Sequence, residues 1–300
     1  MKTKTYLFAL MAMAFTLGSC SDNENGIGSE TSKYITVSTS IGNMTRVATD
    51  ANGGQTFEEG DEISVYAWTG APTVAPETSE RVVNNAINKL TNGSWVSTPQ
   101  MLWKNNRDKH YFIGVYPISA ISDLSAGEYT FDVTKQVESD LLVAVNADGL
   151  SYNADEQQTV PLTFTHVMAK LVVNLTYKNQ WGGIPTVEKV VVGNAAKEAT
   201  INYLTKVVTP STTAKEDFSL PEITENTKYV SVIIPQEEVK QLTIVIGGKN
   251  FVYDNGTPFK LESGKITTVN LEVGRNEIKL GDVKITDWED GSTFSGEAIN

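Results

Sequence analysis

The 300-residue chain is poor in several residue types on which common protein chemistries depend. It has one cysteine, which excludes a disulfide framework and a zinc site built on cysteines. Its two histidines nearly exclude catalysis by paired histidines. A formal net charge of -12 argues against a nucleic-acid partner, because phosphate binding needs basic patches. No pattern singles out a catalytic carboxylate pair, a metal-ligand set or a phosphate loop, so we predict no enzymatic activity, no cofactor and no metal.

The longest apolar run lies at the amino terminus and is too short to cross a membrane. It extends from Tyr6 to Leu17, about 12 residues against the ~20 that a spanning helix needs. Two lysines precede the run, and Gly18 and Ser19 separate it from Cys20. This order resembles the signal peptide and lipobox of bacterial lipoproteins. The resemblance implies that residues 1–19 are removed and that Cys20 is lipidated, with chains such as palmitate as the anchor.

The alternative for this region is a plain secretory signal followed by an incidental cysteine. Residues 20–33 are polar and contain glycines, so we predict that they form a flexible tether. The acidic residues behind Cys20 resemble the surface-export signal of Bacteroidetes lipoproteins. That resemblance implies a lipid-anchored protein on the outer membrane or the cell surface.

From Tyr34 onward, apolar residues recur with a period of two. Clear examples are Ile35, Val37 and Ile41; Ile63, Val65 and Ala67; Leu171, Val173 and Leu175; and Leu242, Ile244 and Ile246. One apolar and one polar face per segment predict antiparallel strands packed on a core. Pairs such as Asn92-Gly93 and Gly247-Gly248 predict the hairpin turns between them. At this length, the pattern favours an all-β fold of two tandem β-sandwiches.

A polar stretch over residues 151–158 predicts the junction between the two domains, which we expect over 34–158 and 159–300. Just beyond it, the apolar positions change from even numbers to odd ones. A strand cannot change faces without an extra residue, so we predict a bulge or break near Thr165-His166. The stretch from Pro235 to Gln241 predicts a single helical turn that begins at its proline.

The two histidines are expected in different surroundings. His166 lies between apolar residues, which favours a hydrogen-bonded histidine in the core or at its rim. His110 follows the charged turn 104–109 and is expected to be exposed. Five tryptophans could form a sugar-binding platform, but packing is the default for tryptophan in sandwiches.

Seven fragments in a characteristic order cover nearly the whole chain. They are Met44-Thr45-Arg46, Phe57–Tyr66, His110–Pro117, Asp140–Ala144, Leu162–Leu171, Gly264–Leu271 and Asp287–Gly291. Together with the lipobox they resemble the fimbrillin family of Bacteroidales, the Mfa-like and FimA-like pilus proteins. The resemblance implies two transthyretin-like β-sandwiches and a non-enzymatic role. It also implies a fimbrium on the cell surface that supports adhesion, built as a homo- or hetero-polymer with other fimbrial subunits.

The same resemblance implies assembly by donor-strand exchange, in which a trypsin-like protease cuts after an arginine behind the first strand. Here the removable strand would be 34–45, with Ile35, Val37 and Ile41 facing the core. The cut would fall between Arg46 and Val47, ahead of a polar, glycine-rich stretch that a protease can reach. The alternative is that Arg46 is only a solvated turn residue.

The donor strand has its best candidate near the carboxyl end. Ile278, Leu280, Val283 and Ile285 could supply the inserted side chains, with Gly281 marking a change of face. The alternative is that this segment is the last strand of the second domain. The subunit's place as shaft, tip or minor component stays open.

A second function class competes with the fimbrial subunit. It is a monomeric surface lipoprotein that binds a glycan or a host protein and does not polymerise. A ladder of polymers after trypsin treatment would favour the fimbrial subunit, whereas a stable clipped monomer would favour the binding module.

Overall fold

The computed structural model describes residues 33–42, 56–153 and 158–288. Cys20, Arg46 and Val47 lie outside these ranges. Within them, no helix is long and apolar enough to cross a membrane.

The described chain consists of β-strands, joined by turns and two short 3-10 turns at Thr78–Glu80 and Asn179–Trp181. The strands are β1 (Thr36–Ile41), β2 (Glu62–Thr69), β3 (Val83–Thr91), β4 (Ser94–Thr98), β5 (Lys109–Tyr116), β6 (Gly127–Thr130), β7 (Leu142–Ser151), β8 (Thr159–His166), β9 (Ala169–Tyr177), β10 (Lys189–Ala196), β11 (Glu198–Asn202), β12 (Val207–Pro210), β13 (Lys215–Ser219), β14 (Glu222–Thr224), β15 (Lys228–Ile233), β16 (Gln236–Ile246), β17 (Lys249–Leu261), β18 (Lys265–Val273) and β19 (Ile278–Asp287). The predicted all-β class is confirmed.

A seven-stranded sheet, in the order β1-β8-β7-β5-β2-β3-β4, forms the first half of the molecule. β1 runs parallel to β8, and neighbouring pairs among the other strands are antiparallel. The sheet curls until its two ends meet, where the segment before β1 bonds to the segment after β4: Ile35 donates its backbone N–H to the Met101 carbonyl at 3.0 Å. The curled sheet encloses its own hydrophobic core, to which β1, β2, β3, β5, β7 and β8 all contribute.

The second half is a β-sandwich. A four-stranded sheet, β13-β10-β16-β17, shares a core with a five-stranded sheet, β14-β15-β9-β18-β19. This core continues onto the outer face of the first sheet, where Tyr66, Trp68 and Ile113 are buried. A three-stranded sheet, β12-β11-β6, joins the halves, because β6 comes from the first and pairs with β11 of the second.

The chain changes sheets at Val167-Met168, between β8 and β9. The predicted break next to His166 is therefore present. The junction expected near residue 158 falls one strand earlier than this change, because β8 pairs with β1 and β7 of the first sheet. A polar stretch marks a loop, but it does not reveal which sheet the next strand joins.

The helical turn expected at Pro235–Gln241 is wrong. Residues from Gln236 onward belong to β16, and the register with β17 shifts between Gln236 and Val239 and again between Val239 and Gln241. Irregular pairing at these bulges produces the spacing that resembles a helical turn.

Candidate assembly site at the first strand

β1 and the residue before it, Ile35, complete the core of the first sheet with side chains from alternate positions. Ile35 and Val37 are 2% and 6% exposed, and Ile41 is half-buried against the same core. The intervening residues Ser38 and Ser40 are polar and face away from this core. The structure thus brings together the three apolar residues that the sequence analysis assigned to the removable strand.

The ladder between β1 and β8 runs for the whole length of β1, from Thr36 paired with Thr159 to Ile41 paired with Phe164. At its end, Gly42 donates its backbone N–H to the Phe164 carbonyl at 2.8 Å. A Cβ on Gly42 would lie 2.8 Å from the Thr163 methyl carbon, so this close approach favours glycine. β8 is the one strand with which β1 forms a ladder in the part of the chain that the structure describes.

The opposite edge of β1 faces β4 across a cleft of about 630 Å³. Backbone groups of alternate residues point to opposite edges of a strand, so those of Val37, Thr39 and Ile41 point into this cleft. The indole N–H of Trp95 crosses it and donates to Thr39 Oγ1 at 3.0 Å. β1 is therefore an edge strand. On the side of β8 it is held by the ladder and by side-chain bonds of Thr36 and Ser40, and on the side of β4 by the bond from Trp95.

An aromatic cluster lies beside the end of β1. Phe57 contacts Trp95, Tyr116 and Phe164 edge-on, with ring centroids 5.1–5.4 Å apart. The Tyr116 hydroxyl donates to Asp61 Oδ1 at 3.3 Å, and burial, followed by the nearby Asp61 carboxylate, raises the pKa of Tyr116 to about 12. The sequence analysis missed this role of Phe57 and Trp95, since contacts between distant strands leave no local pattern.

The predicted donor residues lie on β19, the edge strand of the five-stranded sheet. Ile278, Leu280, Val283 and Ile285 all face the side that carries the core residues of β18, with which β19 pairs. The register shifts between Leu280 and Asp282, so Gly281 changes the face as predicted. The inward side chains remain accessible all the same: Val283 and Ile285 are 39% and 38% exposed. The donor assignment stays a prediction.

His110 is not exposed, contrary to the expectation from its charged neighbours. It is fully buried, its Nε2 accepts the Lys104 backbone N–H at 3.0 Å, and its ring lies edge-on to Trp103 at 5.0 Å. Burial lowers the pKa of His110 below its ordinary value. The preceding turn folds back over the strand, which local charge does not reveal.

His166 lies at the rim of the core, as expected for a histidine between apolar residues. It is 6% exposed, and its Nδ1 lies 2.8 Å from Asp140 Oδ1. Among the described residues, no group of three or more histidine, cysteine or acidic side chains is arranged to hold a metal ion. Trp68, Trp103 and Trp288 are buried, so they offer no exposed ring to a sugar.

The fold and the site define an all-β protein whose first strand is an edge strand that fills a core. A family model described as fimbrillin-like matches residues 45–288, and the chain therefore belongs to the fimbrillin-like family. The matched span begins after β1 and ends at Trp288. No curated protein matches the chain.

Solved structures with a similar fold include three proteins from Bacteroides species. A Bacteroides ovatus protein with a proposed role in cell adhesion has a TM-score of 0.63 at 17% identity, covering 85% of this chain and 98% of its own. A Bacteroides uniformis protein with the same proposed role has a TM-score of 0.61 at 20% identity, covering 78% and 93%. A fimbrial protein from Bacteroides vulgatus has a TM-score of 0.52 at 13% identity, covering 85% and 99%.

Proposed function

We propose that this protein is a structural subunit of a cell-surface fimbrium, and that β1 is the strand that a neighbouring subunit replaces during assembly. Family membership supports the role of fimbrial subunit, with other fimbrial subunits as partners. The observation that carries the strand replacement is the position of β1, which is both an edge strand and a part of the first core. An edge strand can leave without breaking other ladders, and a core strand leaves an apolar groove behind.

The groove would be a strong acceptor. Burial of Ile35 and Val37 contributes about 1.5–3 kcal/mol each, and residues 159–163 of β8 lose their ladder partner when β1 leaves. A strand with apolar residues at alternate positions restores both contributions. A polar ligand restores neither, so the groove selects an extended apolar strand.

The release step would be cleavage between Arg46 and Val47 by a trypsin-like protease. Only a few residues separate this bond from the end of β1 at Ile41, so a cut there would leave β1 without a covalent link to the rest of the fold. Lipidation of Cys20 would hold the precursor at the outer membrane until this cut occurs. The strand with Ile278, Leu280, Val283 and Ile285 is our candidate for the donor.

Limited trypsin treatment of the mature protein tests the proposal. We expect the first cut after Arg46, a product whose amino-terminal sequence begins at Val47, and a ladder of polymers on a gel. Arg46→Ala removes both the cut and the ladder. Arg107→Ala, a change at an exposed arginine elsewhere in the chain, serves as the matched control and leaves them intact.

Two outcomes would contradict the proposal. A first product whose sequence begins at a residue other than Val47 would show that the bond after Arg46 is not the processing site. A clipped chain that stays monomeric would favour the alternative, a surface lipoprotein that binds a glycan or a host protein.

A further inference from the structure

The number of ladder partners of β8 differs along its length. With β1 it forms six register pairs, from Thr159 to Phe164. With β7 it forms three, which involve residues 164–166. Within the described chain, residues 159–163 therefore have β1 as their single ladder partner. Pro161, which has no N–H to donate, lies in this half of the strand.

Loss of β1 would consequently leave β8 with ladder partners at one end only. Val160, Leu162 and Phe164 of β8 form one wall of the groove that β1 occupies. A strand fixed by three pairs at its end frays readily along the remainder. The groove keeps its shape only if that end is held firmly.

The carboxyl end of β8 contacts Trp288. The ring of His166, the last residue of β8, stacks on the indole of Trp288 with centroids 4.0 Å apart and an angle of 5° between the planes. Asp140 holds the same His166 ring: its Oδ1 lies 2.8 Å from His166 Nδ1. Trp288 is 3% exposed, although eight of the ten residues of β19, which precedes it, are exposed.

The second sandwich holds Trp288 in turn. Its backbone N–H donates to the Gly264 carbonyl at 3.1 Å, and the Gly264 N–H donates to the Met168 carbonyl at 2.9 Å. The ammonium of Lys170 lies 5.1 Å from the centre of the indole. These contacts thus tie β8 of the first half to residues of the second half.

We infer that Trp288, His166 and Asp140 form a clamp that keeps β8 in place as an edge strand after β1 has left. The clamp keeps the acceptor groove formed until another strand binds, and Trp288 is a positioning residue for strand capture. The same subunit can donate β19 only after this capture, when Trp288 is free to leave His166. This inference rests on the proposed replacement of β1. It adds a role for the boundary between the two halves, which that proposal does not require.

The test uses the full mature chain with a specific protease site introduced between residues 47 and 52. After cleavage, β1 stays bound without a covalent link and can exchange with a fluorescent synthetic strand of residues 33–42. We expect saturable capture of the strand, with an affinity at least ten-fold lower in Trp288→Leu and a few-fold lower in Asp140→Asn. Trp181→Leu, at a half-buried tryptophan on the same sandwich, is the control and captures the strand normally.

Hydrogen exchange separates a clamp from a general loss of stability. In the cleaved chain freed of β1, the amides of residues 164–166, where β8 still pairs with β7, stay protected when Trp288 is present and become unprotected in Trp288→Leu. Amides of β9, β16 and β18 keep their protection in both. A uniform rise in exchange over all these strands would assign Trp288 a merely structural role and overturn the inference.

The outcomes also distinguish the inference from the proposed function. Equal affinities of Trp288→Leu and the parent chain for the synthetic strand would contradict the clamp but not strand replacement. Failure of the parent chain to capture the strand would overturn strand replacement, and the clamp with it.

Discussion

The first and the last strand of the described chain are both edge strands, yet they are held in different ways. β1 and the residue before it bury Val37 and Ile35 almost completely in the core of the first sheet. The side chains of β19 that face the core remain accessible to solvent: Val283 is 39% exposed and Ile285 is 38% exposed. The buried side chain next to β19 is that of Trp288, the residue that follows the strand.

The difference teaches which strand the fold needs. Loss of β1 opens a core, whereas core-facing residues of β19 such as Val283 and Ile285 are already accessible. The contacts of the molecule therefore argue for an acceptor site at β1 more strongly than for a donor site at β19. The accessible stripe of β19 is compatible with insertion elsewhere, but it shows no groove of its own.

The largest effect is expected from a charge on the buried face of β1. Val37→Asp places a carboxylate in an apolar core, and we expect a loss of unfolding free energy of more than about 4 kcal/mol. The matched change Val283→Asp on β19 should cost less than about 1 kcal/mol, because that side chain reaches solvent. Urea unfolding followed by tryptophan fluorescence measures both. Similar costs for the two variants would remove the distinction between the strands.

The next largest effect is expected from Trp288→Ala, which removes the buried side chain that follows β19. Removal of a buried indole that stacks on His166 should cost about 3–5 kcal/mol. Trp181→Ala should cost less, because Trp181 is half-buried. Thermal unfolding of the two variants provides the measurement, and an equal or larger loss in Trp181→Ala would contradict the importance of the clamp.

A smaller effect is expected at the free edge of β1. Trp95→Phe removes the indole bond to Thr39 Oγ1 and should cost about 0.5–1.5 kcal/mol. The same change should raise hydrogen exchange in β1 more than in β19. Thr39→Val breaks the bond from its other side and should reproduce the effect. A clear difference between the two variants would show that this bond is not what holds the edge.

The smallest expected effect is a dependence on pH that is confined to the first half. Burial lowers the pKa of His110, so the folded state favours the neutral ring. The corresponding stability is complete above the unfolded pKa of about 6.5, and it is lost as the pH falls through the lower folded pKa. The difference in unfolding free energy between pH 7 and pH 5 should be smaller in His110→Gln than in the parent chain. An unchanged difference would exclude His110 as its source.

The sequence allowed prediction of those features that are local. Period-two alternation identified β1, β9 and β18, and Gly281 was correctly interpreted as a change of face because one extra residue inverts the alternation. The change of sheet next to His166 followed from the same reasoning. The alternation also placed Ile35 and Val37 on the core side of β1.

Features that depend on distant contacts were not accessible. The parallel ladder between β1 and β8 joins residues more than a hundred positions apart, and this ladder assigns β8 to the first sheet. The burial of His110, the contact of Phe57 with Phe164 and the stack of Trp288 on His166 arise in the same way. No short-range pattern distinguishes such residues from ordinary turn or rim residues.

The most direct test of the account compares thermal unfolding of the cleaved chain before and after removal of β1. The account predicts that the unfolding midpoint falls by about 10 °C when β1 is washed out. It also predicts that a synthetic strand of residues 33–42 restores the midpoint at a one-to-one ratio. An unchanged midpoint without β1, or a midpoint that the strand does not restore, would contradict the claim that β1 is a replaceable part of the core.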